Sequence, residues 1–236
     1  MSYYNPEVDN AGFLKQAGLI EKIGYTEPIV FDIGANVGQS IERYRAICPK
    51  CFVYSFEPNP KTFNTLQERF RTVTGVRCEQ LALGATEGSV SFYATNCAEA
   101  SSLLPPEEFV RERSPMRNYD YDLLEVKVDT LDMVVKRLNI WSIDILKIDV
   151  QGAELGVLQG AKSLLEEARI NIIYSEVLFA ENYSGQCDFG DIWSYLKKFG
   201  YSVWDVFPFL HTGLGRLWTG NALFVSPKIM KQLDPR

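Results

Sequence analysis

The chain runs to 236 residues, 46% hydrophobic, 13% aromatic and 23% charged, which excludes a disordered or fibrous polymer and leaves room for a sizeable core. Lys and Arg number 24 against 30 Asp and Glu, a net charge of -6, and no basic stripe interleaves with aromatics. Binding to a nucleic-acid backbone relies on such a stripe, so a small or neutral partner is expected instead.

The polar first residues lack the basic and apolar parts of a signal peptide. No apolar run approaches the ~20 residues of a membrane span. The five cysteines, Cys48, Cys51, Cys78, Cys97 and Cys187, are scattered. Cys48 and Cys51 have CxxC spacing, but no second pair follows and the single His211 brings no ligand cluster, so no metal is expected. Free thiols point to a reducing, cytoplasmic setting.

In chain order, residues 1–28 are expected to form a helical N-terminal extension and 29–236 a single domain. Ile29 to Phe31 reads as a strand leading into a glycine turn, with a helix around Ile41 to Ile47. Cys51 to Phe56 is the next strand, Thr62 to Phe70 a helix, and Val76 to Leu83 a third strand. Gly88 to Ala94 and Leu124 to Val128 alternate at period two and read as half-exposed strands. Between them Thr95 to Asp122 is polar, holds three prolines and is long for a plain loop, so a cover over a binding site is expected there. Thr130 to Leu138 reads as a helix, Ile143 to Ile148 as a strand, Glu154 to Ala168 as a helix and Ile170 to Ser175 as a strand. Ile192 to Phe199 is helical, and Tyr201 to Val206 and Ala222 to Val225 are the last strands. Alternation of this kind predicts a doubly wound, mostly parallel sheet whose final two strands, lacking a helix between them, run antiparallel. Ligands of such sheets collect outside the carboxyl ends of the strands.

Three blocks carry chemistry. In Phe31-Asp32-Ile33-Gly34-Ala35-Asn36-Val37-Gly38 a strand ends on a carboxylate and glycines turn the chain into a helix. Gly34 and Gly38 permit close backbone approach or positive φ. The spacing differs from the GxGxxG of dinucleotide folds, and Asp32 suits an ammonium or sulfonium better than a pyrophosphate. Glu57, closing the second strand before Pro58 and Pro60, is placed to accept two ribose hydroxyls. In Lys147-Ile148-Asp149-Val150-Gln151-Gly152-Ala153-Glu154, Asp149 falls at the end of the central strand. A lysine inside an apolar strand needs a carboxylate partner, and Asp149 and Glu154 are the candidates for Lys147. Glu154 also reads simply as a favourable charge in the first turn of a helix.

These blocks resemble the FkbM family of S-adenosylmethionine-dependent methyltransferases, across FDIGANVGQS, SFEPNP, VDTLD and ILKIDVQGAELGVLQGA. The resemblance runs from about Ile29 to Glu176 and implies a class I methyltransferase fold with a seven-stranded sheet. It implies methyl transfer to hydroxyls of sugars, polyketides or related metabolites. By that likeness Asp32, Gly34, Asn36 and Gly38 hold the methionine part of the cofactor, Glu57 the ribose, and Ala82 and Leu83 lie near the adenine. Ala35, Pro58 and Asp149 complete the cofactor-facing set.

A hydroxyl acceptor needs its proton removed. Base candidates at the carboxyl ends of the later strands are Asp149, Glu176 and His211, with Lys147 and Glu154 organising the floor. His211 titrates near neutrality in its free form, yet reads equally as a solvent-facing loop residue. Ser101 and Ser102 read as turn residues or as contacts to the ligands. Two alternatives share the fold: a nicotinamide-dependent oxidoreductase and a binding module without catalysis.

Overall fold

The apolar runs pair side by side in the computed structural model, which describes residues 6–108, 120–211 and 215–235. Among these, the strands are β1 (Ile29–Ile33), β2 (Phe52–Phe56), β3 (Val76–Glu79), β4 (Ala82–Leu83), β5 (Gly88–Thr95), β6 (Tyr121–Asp129), β7 (Ile143–Ile148), β8 (Ile170–Leu178), β9 (Ser202–His211) and β10 (Leu217–Val225). The helices are α1 (Pro6–Ile23), α2 (Gln39–Ile47), α3 (Pro60–Phe70), α4 (Leu131–Arg137), α5 (Glu154–Gln159), α6 (Lys162–Glu166), α7 (Phe189–Lys197) and α8 (Pro227–Leu233).

Seven strands form one sheet in the order β3-β2-β1-β7-β8-β10-β9. The five from β3 to β8 run parallel, and β10 inserts antiparallel between β8 and β9. The expected doubly wound class I architecture is therefore present, antiparallel strand included. The order reverses between β1 and β7, and this switch opens a crevice at their carboxyl ends.

Side chains of alternate residues leave opposite faces of each strand. Phe31, Ile33, Phe56, Leu146, Ile148 and Ile173 pack on one side with Leu131, Val157, Leu164 and Ile192 from α4 to α7. Val30, Val53, Ile145 and Ile172 pack on the other with Phe13, Leu19, Ile41, Leu66 and Ile229 from α1, α2, α3 and α8. Phe13 of α1 meets Tyr44 and Tyr174 edge-on, so the N-terminal helix is built into this second core.

Several boundaries depart from the sequence reading. Val76 to Leu83 is not one strand: β3 stays on the main sheet, while β4 joins β6 and β5 in a separate three-stranded sheet. The helix expected over Glu154 to Ala168 breaks into α5 and α6 at Gly160. A Cβ on Gly160 would lie 2.0 Å from the carbonyl oxygen of Gly84, so the helix presses backbone to backbone on the end of β4. The strand expected over Tyr201 to Val206 runs from Ser202 to His211, so His211 ends a strand and does not lie in a loop. Of the expected cover, 109–119 fall outside the described residues, while 97–108 form a 3-10 turn at Ala98–Ala100 and bridges through Ser102 and Pro106.

Candidate active site

A rung of polar side chains crosses the sheet just below its carboxyl edge. Register places Ser55, Asp32, Lys147 and Tyr174 side by side on β2, β1, β7 and β8. Asp32 is fully buried, and the Lys147 ammonium lies 3.2 Å from its Oδ1 and 3.5 Å from Asp149 Oδ2. Burial alone would lower the lysine pKa, but Asp32 and then Asp149 more than offset it and hold the ammonium charged. This corrects one expectation: Glu154 is not the partner of Lys147. Asp32 has the Lys147 ammonium beside it, yet burial still raises its carboxyl above the usual range.

The glycine loop is stitched to the end of β2. The N–H groups of Gly34 and Ala35 both donate to the Phe56 carbonyl at 3.0 Å, and that of Asn36 donates to Glu57 Oε2 at 2.9 Å. Glu57 Oε1 accepts from Asn59 N–H at 2.9 Å, and Asn59 caps α3 ahead of Pro60. Pro58 sits within this turn. Burial pushes the Glu57 carboxyl up to about 7, while the N–H groups of Asn59 and Asn36 pull the other way. Both glycines need positive φ, 77° at Gly34 and 94° at Gly38. The close approaches they permit are internal. A Cβ would meet the Asp149 carbonyl oxygen at 1.9 Å from Gly34, and the Phe70 ring at 2.2 Å from Gly38.

One rung above the buried row, Asp149 and Glu176 converge at the crevice. Asp149 keeps 39% of its side chain exposed. Gln151 Nε2 donates to Asp149 Oδ1 at 2.8 Å and to Glu176 Oε2 at 2.7 Å, so one amide holds both carboxylates. Burial first, then the charges of Asp149 and Glu154, raise the Glu176 carboxyl well above its usual range. Such a pair favours keeping one proton between its members. Glu154 is nearly fully buried and accepts from Val150 N–H at 3.0 Å and Gly152 N–H at 3.0 Å. It binds the entrance of its own helix, as the first-turn reading of the sequence had it, and burial lifts it to about 7.

The remaining predicted residues are dispersed. His211 is exposed on the outermost strand, opposite Leu217, three strand spacings from β7, or roughly 14 Å. The structure does not bring it to Asp149. Ala82 and Leu83 are buried in β4. Sequence reasoning missed Gln151 and Tyr183 as site residues and gave Ser102 no firm part. The Ser102 hydroxyl donates to the Gln151 carbonyl at 2.8 Å, and the Tyr183 hydroxyl lies 2.9 Å from Gln151 Oε1. Gln151 was visible within the third block, but its partners on β8 and in the following loop were not.

A doubly wound sheet of this order, with an acidic crevice at its switch point and a glycine loop tied to an acidic second strand, defines a class I methyltransferase. The family model for the methyltransferase FkbM domain matches residues 32–203, and the chain belongs to that family of S-adenosylmethionine-dependent methyltransferases. It is 29% identical over 188 residues to the 2-O-methyltransferase NoeI of Sinorhizobium fredii, covering 77% of this chain and 74% of that protein. It is 26% identical over 149 residues to the hexuronic acid methyltransferase AglP of Haloferax volcanii, covering 62% and 55%. Among solved structures, a TehB-like methyltransferase from Corynebacterium glutamicum superposes with a TM-score of 0.46 at 10% identity, covering 91% of this chain and 87% of that one. The family membership sets aside the nicotinamide-dependent alternative.

Proposed function

We propose that the crevice outside β1 and β7 binds S-adenosylmethionine and that the chain methylates a hydroxyl of a sugar or related small metabolite, with the Asp149–Glu176 pair taking the proton. The observation that carries this reading is the convergence of those two carboxylates on Gln151 at the switch point. The names of the relatives, a 2-O-methyltransferase and a hexuronic acid methyltransferase, support a sugar hydroxyl as the acceptor.

The donor set fits the cofactor. Each Glu57 oxygen accepts one backbone N–H and keeps a further lone pair, which matches the two neighbouring hydroxyls of a ribose. Asp149, partly exposed at the end of β7, complements a cationic group. Asp32, Gly34, Ala35, Asn36, Gly38 and Pro58 shape the loop from beneath, and Ala82 lies on the side assigned to the adenine. When bound, the cofactor supplies an activated methyl group that needs no further electrophile. What remains for the protein is to align the acceptor oxygen and receive its proton. Glu176, whose proton affinity burial raises, suits reception of the proton, and Asp149 at the mouth suits contact with the acceptor. Lys147 prevents the cluster from accumulating uncompensated negative charge. His211 is too remote for the proton transfer in this geometry.

We further place the chain in the cytoplasm, since all five cysteines are free. Among the described residues no helix is long and apolar enough to cross a membrane. No nucleic acid is proposed as a partner, on the acidic charge balance.

The test is transfer from methyl-labelled S-adenosylmethionine to a panel of uronic acids, deoxysugars and amino sugars. Methyl ethers are expected as products. Glu176→Gln should lose ~10²–10⁴-fold in kcat while cofactor affinity holds, and Asp149→Asn should lose as much in kcat and weaken cofactor binding as well. Transfer confined to amines, or full activity in both variants, would overturn the reading.

A further inference from the structure

Gln151 sits where a side chain is disfavoured and yet holds more partners than any neighbour in its turn. Its φ of 57° lies in the left-handed region. The amide nitrogen faces Asp149 Oδ1 at 2.8 Å and Glu176 Oε2 at 2.7 Å, and a pair that shares one proton still presents an accepting oxygen to each of its N–H groups. That leaves Oε1 for the Tyr183 hydroxyl at 2.9 Å, whose single proton is shared with the Ala100 carbonyl at 3.1 Å. The backbone is held as well, by the Ser102 hydroxyl on the Gln151 carbonyl. The amide therefore has one orientation and both its N–H groups are committed.

We propose that Gln151 is a positioning residue: its two N–H groups hold Asp149 and Glu176 as one proton-sharing pair, and Tyr183 sets the direction of the amide. The catalytic consequence rests on the reading of that pair as the proton acceptor, whereas the pairing itself is a property of the free protein.

Donors aimed at a carboxylate favour its ionised form. Without them, two facing carboxylates repel and one retains its proton to higher pH. Other groups act on the same pair. Lys147, 3.5 Å from Asp149, sets a positive charge beside the pair, and Asp32, 3.2 Å from the same ammonium, shares it. Glu154 opposes ionisation of Glu176. The Cys187 thiol, 3.6 Å from Glu154, meets that carboxylate and not the pair. Of these, Gln151 alone contacts both members.

The test titrates the free protein, with ¹³C-labelled Asp and Glu carboxyls followed by NMR, in the wild type, Gln151→Met, Gln151→Glu and Tyr183→Phe. The upper apparent pKa of the pair should rise by about one unit in Gln151→Met, the scale of one lost hydrogen bond to a charged group. It should rise further in the isosteric Gln151→Glu, which adds a third negative charge, and less in Tyr183→Phe. The acidic limb of kcat/KM should move to higher pH in the same order. An unmoved titration in both Gln151 variants would overturn the proposal, whatever the activity. A moved titration with an unmoved rate profile would support the pairing and count against the proton-acceptor reading. Activity lost on chelation and restored by magnesium would make the two carboxylates a metal site and overturn the proposal.

Discussion

Lys147 and Asp32 show what a single residue can and cannot disclose. A lysine amid Ile, Leu and Ile announces that it needs a negative partner, but which one depends on strand register. Asp32 and Lys147 are far apart in sequence and neighbours only because β1 lies beside β7. The same holds for Gly34, whose need for positive φ was legible but whose contact with the Asp149 carbonyl was not. With Asp32 fully buried and Lys147 almost so, removing the cation strands a charge in a low-dielectric site. Lys147→Met should therefore lose about 3–5 kcal/mol in urea unfolding, and Asp32→Asn added to it should recover part of the loss. A double variant no better than the single would show that the pair is not the source of the effect. Buried carboxylates give the pH dependence its sign, and Asp32 and Glu176 are raised in the same direction as the two that follow. Glu57 and Glu154 are both raised to about 7 by burial, so between their unfolded values and that pH the native state binds more protons than the unfolded one. Their contribution is fully present below the unfolded carboxylate range and is lost as pH rises through about 7. Glu57→Gln should flatten this part of the Tm-against-pH curve; an unchanged slope would show that Glu57 is not raised.

At the scale of elements, strands were the most legible part because unbroken β-branched runs have few alternatives in an alternating chain. The break between α5 and α6 was not legible, since a glycine inside a helical pattern is ordinarily tolerated. Here it marks the place where the helix meets Gly84, and Asp132 N–H donates to the Gly160 carbonyl at 3.0 Å. Gly160→Ala should cost about 1–3 kcal/mol, because the atom it would strike is backbone and cannot rotate away. A neutral effect in thermal unfolding would mean that β4 yields more easily than its pairing with β6 implies. The division of Val76 to Leu83 between two sheets was hidden for the same kind of reason. Apolar spacing shows that a segment extends, but not which neighbour its edge hydrogen bonds select.

Across the whole molecule, segment 97–108 and the loop after β8 close on each other over the site. The Glu107 N–H donates to the Asn182 carbonyl and the Ser184 N–H to the Pro105 carbonyl, both at 2.9 Å, and Ser102 reaches back to Gln151. The sequence placed a long polar excursion here; its anchoring to Tyr183 depends on two segments that only the sheet brings together. Ser102→Ala should speed hydrogen exchange across 97–108 and raise the acceptor KM more than the cofactor Kd. Equal exchange in both proteins would detach this segment from the site. His211, legible as the lone imidazole, ends on the far edge of the sheet, because neighbourhood in an α/β fold follows strand order and not chain order. The measurement that bears most directly on the crevice as a methyl-donor site is calorimetric titration of S-adenosylhomocysteine into the wild type and Glu57→Ala. Binding to the wild type, weakened by about 1–3 kcal/mol in the variant, is the expected result for a carboxylate that accepts the ribose hydroxyls. Equal affinity in the two proteins, or no binding to either, would contradict it.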